Sequence, residues 1–236
     1  MAKVIDKLSV FFPAYNEEKC IKQTVEKADK ILKEIAKDYE IIIINDGSKD
    51  KTGEISDGLA KKNKKIKVIH HNPNRGYGGA LKSGLYAARY PWVAFTDSDG
   101  QFDFSEITKL IDTQKRSKAD MVIGYYLKRA VPFYRKINSF LWQQVVAFLF
   151  GLRVRDIDCG FKLFKKQVIE KIPSLESERG AFITTEFLIK TKKSGFKIVE
   201  IGVSHFPDSA GGSTGASLRV IINSFIDLFK LWSKLR

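Results

Sequence analysis

Short β-prone runs alternate with amphipathic stretches along the first hundred residues, and few folds can absorb that order. Residues 8–12, 40–44, 66–69 and 93–96 read as strands, rich in Ile, Val and Phe. Between the first two, Ile21, Val25, Ala28, Ile31, Leu32 and Ile35 recur at helical spacing. Residues 51–61 and 80–88 read as further helices. Strand–helix alternation predicts an α/β protein with a mostly parallel, doubly wound sheet and right-handed crossovers. The four isoleucines Ile41 to Ile44 predict a strand buried on both faces, as helices on both sides of a sheet provide. Pro13 is expected to stop the first strand. Asn16 is expected to cap the helix behind it, with Glu17 and Glu18 at its positive end.

Beyond Gln101 the pattern loosens. Residues 104–116 predict a helix, 119–124 a strand, 181–193 a helix and 197–204 a strand. Two stretches, 137–151 and 217–235, are amphipathic. No internal repeat or low-complexity linker breaks the chain, so one catalytic-sized domain, 1–216, is expected, followed by an amphipathic helix, 217–236.

Composition narrows the partners. The formal net charge is +14, which favours an acidic ligand: nucleic acid, anionic lipid or a phosphorylated molecule. A hydrophobic content of 44% excludes a disordered chain. Two cysteines make no disulfide framework, so reduced thiols are expected. Residues 1–7 carry charge and no long apolar run, so no signal peptide is expected. No run reaches the roughly 18 apolar residues of a membrane span.

In a parallel sheet, ligands sit at the carboxyl ends of the strands. Three of the four early strands end there in polar turns. Residues 45–48 are Asn-Asp-Gly-Ser, and 72–79 form a glycine-rich loop whose amides suit phosphate. After the fourth strand come Asp97, Ser98, Asp99, Gly100 and Gln101. Carboxylates that close repel unless a cation lies between them, and oxygen ligands beside phosphate suit Mg²⁺ or Mn²⁺. A bare Asp-x-Asp is more often a solvated turn; its neighbours give this one weight. A non-catalytic nucleotide-binding or nucleic-acid-binding protein stays open on charge alone, though no nucleic-acid motif appears. A nucleotidyltransferase would want a basic glycine-rich loop after the first strand, and residues 13–17, Pro-Ala-Tyr-Asn-Glu, are not one.

Five motifs stand in order: Phe12-Pro13-Ala14-Tyr15-Asn16-Glu17, Asn45-Asp46-Gly47-Ser48-Lys49-Asp50, Asn74-Arg75-Gly76, Asp97-Ser98-Asp99-Gly100-Gln101 and Asp158-Cys159-Gly160-Phe161-Lys162. Together, over residues 8–225, they resemble the family-2 glycosyltransferases of GT-A fold. Within these the chain looks most like the dolichol-phosphate mannose synthase and polyprenyl-phosphate glycosyltransferase branch. The resemblance implies a Rossmann-like three-layer α/β/α fold. It implies inverting, metal-dependent transfer of a sugar from a GDP-mannose or UDP-hexose donor to a dolichyl or undecaprenyl phosphate. Pro13, Tyr15, Glu17, Asn45, Asp46, Gly76, Asp97 and Ser98 would line the donor site. Asp97, Asp99 and Gln101 would hold the metal, and Arg129, Arg135 and Ser139 the acceptor phosphate. A phosphate acceptor is already anionic and needs no strong base. A saccharide hydroxyl, as in cell-surface polysaccharide synthesis, would need one, and Asp156, Asp158 and Glu186 are the candidates.

The implied setting is cytoplasmic, at the inner face of a membrane, with residues 137–151 and 217–236 lying in the lipid interface. A core or dimer contact is the alternative for both stretches. A homo-oligomer or a membrane partner protein is compatible with this reading. Two departures stand out. Asn45 replaces the usual first Asp of the Asp-Asp-Gly-Ser turn, and Asp208 replaces an arginine expected to meet phosphate.

Overall fold

The computed structural model describes residues 3–128, 133–177, 180, 182–207 and 218–235, without the side chains of 133–136 and 218–222. Its strands are β1 (Ile5–Ala14), β2 (Ala36–Asn45), β3 (Ile66–His70), β4 (Trp92–Phe95), β5 (Met121–Tyr126), β6 (Lys162–Lys165) and β7 (Ile198–Val203). They form one sheet in the order β3-β2-β1-β4-β6-β5-β7. Only β6 runs antiparallel, against both β4 and β5, among the described pairings.

Successive side chains along a strand point to opposite faces, and this splits the core in two. Phe11, Ile42, Ile44, Val93 and Phe95 face one cluster; Val10, Phe12, Ile41, Ile43 and Ala94 face the other. The first cluster is covered by α3 (Gly76–Ala87), α5 (Phe133–Phe150), α6 (Lys166–Lys171), α7 (Phe182–Lys193) and α8 (Leu218–Leu235). The second is covered by α1 (Ile21–Ile35), α2 (Thr52–Lys62) and α4 (Ile107–Ser117). The three-layer α/β architecture expected from the alternation is therefore present, with Ile41 to Ile44 inaccessible on both faces.

Four local expectations are corrected. Pro13 does not stop β1, which continues to Ala14. A strand residue's N and O point to the same side, and the Pro13 carbonyl accepts from Ser98 Oγ at 2.7 Å. The missing N–H of proline thus faces β4, whose pairing with β1 ends at Phe11↔Phe95, so no ladder bond is lost. Asn16 caps no helix: it sits at φ 59°, its Oδ1 accepts the Lys49 N–H at 2.8 Å, and α1 begins at Ile21. Helix α3 starts inside the glycine-rich loop, at Gly76. Strand β6 and helix α6 went unread, because Lys-Leu-Phe-Lys carries a charge at each end and resembles no buried strand.

Helix α3 seats its Gly84 backbone directly on the Phe11 ring of β1. A Cβ added at Gly84 would fall on the Phe11 ring, which stacks on Phe95 at 5.1 Å. Gly84→Ala should therefore destabilise the protein by about 1–3 kcal/mol, as overpacking does. Urea unfolding checks this as a lower midpoint at unchanged slope; an unchanged midpoint would show that α3 can move away.

Candidate active site

Parallel β1, β2 and β4 all end on one edge of the sheet, and β6, running the other way, begins there. That topology brings residues 13–17, 45–50, 71–77, 97–101 and 156–162 together. The loops are cross-tied. The Asn16 N–H donates to Ser48 Oγ at 3.0 Å and the Glu17 N–H to Thr52 Oγ1 at 2.7 Å. The Asp46 N–H donates to the Ala14 carbonyl at 2.9 Å. Thr24 Oγ1 donates to the Ser98 carbonyl at 3.2 Å, which anchors the Asp97–Gln101 turn to α1.

Asp97 is held from two sides. The Tyr77 hydroxyl donates to its Oδ1 at 3.0 Å, and Gly160 presses so close that a Cβ there would overlap its other oxygen. Burial pushes the Asp97 carboxyl up, while the Tyr77 hydroxyl and the Lys162 charge pull it back. Asp99 is half-buried, and its Oδ1 accepts the Gln101 N–H at 2.9 Å. The Gln101 side chain donates onward to the Phe206 carbonyl at 3.1 Å, tying this turn to the segment after β7. Among the described residues no three His, Cys, Asp or Glu side chains gather as a complete metal site. Asp97 and Asp99 nonetheless supply hard oxygen donors at an open edge. That fits Mg²⁺ or Mn²⁺, which keep non-protein oxygens such as phosphate in their shell.

Asn45 and Asp46 do structural work at the end of β2. Asn45 Oδ1 accepts the Ser48 N–H at 3.1 Å, and its amide donates to His70 Nδ1 at 2.9 Å. An aspartate at position 45 could not donate to that imidazole, which gives the Asn45 departure a physical reason. Buried Asp46 accepts from His71 Nδ1 at 2.6 Å and from the Arg75 N–H at 2.9 Å; His71 Nε2 in turn meets Ser83 Oγ at 2.8 Å. This chain clamps residues 71–76 onto α3. The Gly76 amide donates to Asn74 Oδ1, so the amides of Arg75 and Gly76 have internal acceptors in place of the phosphate the loop suggested.

Asp156 is buried and accepts the Asp158 N–H at 2.9 Å. Glu186 has a different setting. Its carboxylate accepts from Lys190 Nζ at 2.6 Å and from the N–H groups of Glu176 and Ser177, each at 2.9 Å. Burial works to raise its pKa, and Lys190 with the two amides outweighs it, leaving the carboxyl below its usual range. Oε1 is thus engaged by Lys190 in a buried ion pair and Oε2 by the Ser177 amide, which suits a fastening of α7 better than a base. Ser139 is half-buried on α5; Arg129, Asp208 and the side chain of Arg135 lie outside the described residues.

Three residues at this edge carry no role in the sequence reading: Tyr77, His71 and Lys162, the last of which closes the fifth motif. Tyr77 and His71 act through partners distant in sequence, whereas Lys162 bonds carbonyls three and five residues before it. Two clefts of about 570 and 510 Å³ open at the opposite edge, around Trp92, with Lys37 and Lys115 beside one and Arg89 and Lys165 beside the other. Arg89 and Lys165 are matched by Glu40 and Asp120, at 3.0 and 2.8 Å. The motif residues cluster at the carboxyl edge, away from both clefts.

The chain matches the family model described as Glycosyl transferase family 2 over residues 9–173. It is 33% identical to a dolichyl-phosphate beta-glucosyltransferase from Dictyostelium discoideum, across 84% of this chain and 65% of that one. It is 29% identical to glycosyltransferase AglD from Haloferax volcanii, across 97% of this chain and 37% of that one. The chain therefore spans only part of these relatives' length. Among solved structures it resembles glucosyl-3-phosphoglycerate synthase from Mycobacterium tuberculosis in complex with Mn²⁺, uridine diphosphate and phosphoglyceric acid. The TM-score is 0.72 at 19% identity, across 96% of this chain and 78% of that one.

Breaking a buried pair by neutralising one partner strands the other. Glu186→Gln should lower stability by about 3–5 kcal/mol while the folded fraction keeps its wild-type turnover. Thermal melting alongside specific activity per folded molecule checks both; a turnover collapse at unchanged stability would restore Glu186 to the chemistry.

Proposed function

Because the chain belongs to glycosyl transferase family 2, we propose that it moves a sugar, with inversion, from a nucleoside diphosphate to a polyprenyl phosphate at a membrane surface. The fold is the three-layer GT-A architecture, and the protein is a glycosyltransferase. The observation that carries the reading is the Asp97–Gln101 turn, seated at the end of β4 and tied to β1, α1 and α3.

In this reading Pro13, Tyr15 and Glu17 border the nucleotide on the β1 side, and Asn45, Asp46 and Gly76 shape its β2 and β3 sides. Asp97, Asp99 and Gln101 hold Mg²⁺ or Mn²⁺, which when bound neutralises charge on the departing diphosphate. Asp97 is braced by Tyr77 and Gly160; Asp99 accepts the Gln101 amide. A phosphate acceptor attacks with an oxygen that is already anionic, so the protein needs to orient it and exclude water. Arg129, Arg135 and Ser139 take the acceptor phosphate. Asp156 and Asp158 frame the site's far wall and would act as base only toward a hydroxyl.

The lipid acceptor is supported by relatives named for dolichyl-phosphate glucosyl transfer. Among the described residues no helix is long and apolar enough to cross a membrane. Two helices instead expose apolar residues: Ile137, Phe140, Leu141 and Phe148 on α5, and Ile226 and Phe229 on α8, where Lys230 and Lys234 are also exposed. Phe148, 89% exposed, has almost no protein around it. Such faces suit the interface of an anionic leaflet, which supports a seat at the cytoplasmic face of a membrane.

The test supplies radiolabelled UDP-glucose or GDP-mannose with Mn²⁺ and short-chain polyprenyl phosphate in anionic vesicles. Label should enter the lipid phase from one donor, and the protein should sediment with the vesicles at low salt. Asp99→Asn should lower kcat/KM at least about 100-fold, since several kcal/mol of charge stabilisation are lost. Label that reaches only water-soluble saccharide, with protein left in the supernatant, would sink the lipid reading.

A further inference from the structure

We propose that Lys162 is a positioning residue for the cation and donor site, acting through the backbone turn at residues 156–160. The proposal rests on the glycosyltransferase reading above, but its structural half can be tested apart from it.

Lys162 opens β6 and is completely buried. Lysine is almost never buried without a strong reason, since desolvating its ammonium is costly. Burial pushes its pKa down. Among the described residues it makes no ion pair. Its Nζ hydrogen-bonds the Cys159 carbonyl and lies 3.4 Å from that of Ile157. It also sits over the Phe95 ring, 5.4 Å from the centroid. A leucine would pack in the same core without this cost, so the side chain's value lies in the two carbonyls it holds.

Those carbonyls belong to a tightly wedged turn. On one side Gly124 receives it: a Cβ there would meet Cys159 Sγ at 2.8 Å, and the Gly124 N–H donates to the Phe161 carbonyl at 2.8 Å. On the other side Gly160 touches the Asp97 carboxylate. Within the turn the Asp158 N–H closes onto Asp156. Lys162 draws this turn down onto Phe95, the last residue of β4 and two positions before Asp97. The distance between the Gly160 backbone and Asp97 is thereby set by the reach of one lysine. Asp97 cannot retreat, because Tyr77 holds its other oxygen. Groups that orient a metal ligand in this way typically change metal affinity about 10–100-fold when removed.

Lys162→Met keeps length and removes the donors. Hydrogen exchange on the full chain should show faster exchange in peptides spanning 153–162, with β1 and β2 unchanged. Free Mn²⁺, followed by electron paramagnetic resonance with UDP or GDP present, should show half-saturation about 10–100-fold higher than wild type. Should Lys162→Met fail to fold, Lys162→Arg, which alters the reach and keeps the charge, is read by the same two measurements. Gly160→Ala should reproduce the Mn²⁺ effect by displacing Asp97 directly. The proposal falls if the turn exchanges as in wild type, or if the turn loosens while Mn²⁺ half-saturation stays within about twofold. Wild-type protein that takes up no Mn²⁺ with either nucleotide overturns the glycosyltransferase reading itself, a result distinct from both.

Discussion

Everything at the carboxyl edge depends on keeping like charges close without letting them push the loops apart. Asp46, Asp97, Asp99, Asp156 and Asp158 all stand there, and carboxylates at short range repel strongly where water is scarce. The protein answers with donors from the surrounding loops. His71 meets Asp46, Tyr77 meets Asp97, the Gln101 amide meets Asp99, and the Asp158 amide meets Asp156. Lys162 lies beneath, where the charges of Asp97, Asp156 and Asp158 all reach it. The Tyr77 hydroxyl and the two backbone amides carry no charge, so these contacts leave the charge of the carboxylates they meet in place. That is the condition under which a divalent cation, and the diphosphate it carries, is drawn in.

The same economy explains the division between the two faces of the sheet. Helices α1 and α2 fasten loops of the carboxyl edge, through Thr24 of α1 and Thr52 of α2. Helices α5 and α8 carry the opposite layer and meet each other through Trp142 and Phe225, whose rings lie 5.2 Å apart. Buried Leu228 and Leu231 root α8 in the core, while Ile226 and Phe229 stay outside. A helix that is rooted on one face and exposes apolar residues on the other suits the membrane seat proposed above. The formal net charge of +14 favours an acidic partner at long range, as the proposed lipid phosphate is.

Much of the fold was legible because period and charge speak locally. Ile41 to Ile44 announced a strand covered on both faces, and the strand ends carried the polar turns that define the edge. What stayed hidden depends on contacts far apart in sequence. Pro13 continues a strand because β4 has already ended beside it. Asn16 belongs to the 48–49 loop and not to its own helix. The ion pair of Glu186, one of three candidate bases, with Lys190 one helical turn on is nearer in sequence and still carries no hydrophobic signal. Strand β6 disguised itself because its first lysine is buried, a choice that no pattern of hydrophobicity anticipates. The site was read as a set of motifs; how they brace one another was visible only once the chain was folded.

A crystal grown with Mn²⁺ and a nucleoside diphosphate, measured for anomalous scattering from manganese, tests whether the edge is the donor site it is taken to be. The anomalous peak should fall within coordination distance of Asp99, with phosphate oxygens filling the remaining shell. A nucleotide bound at this edge with no manganese beside Asp99, or a peak in the clefts around Trp92, would contradict it.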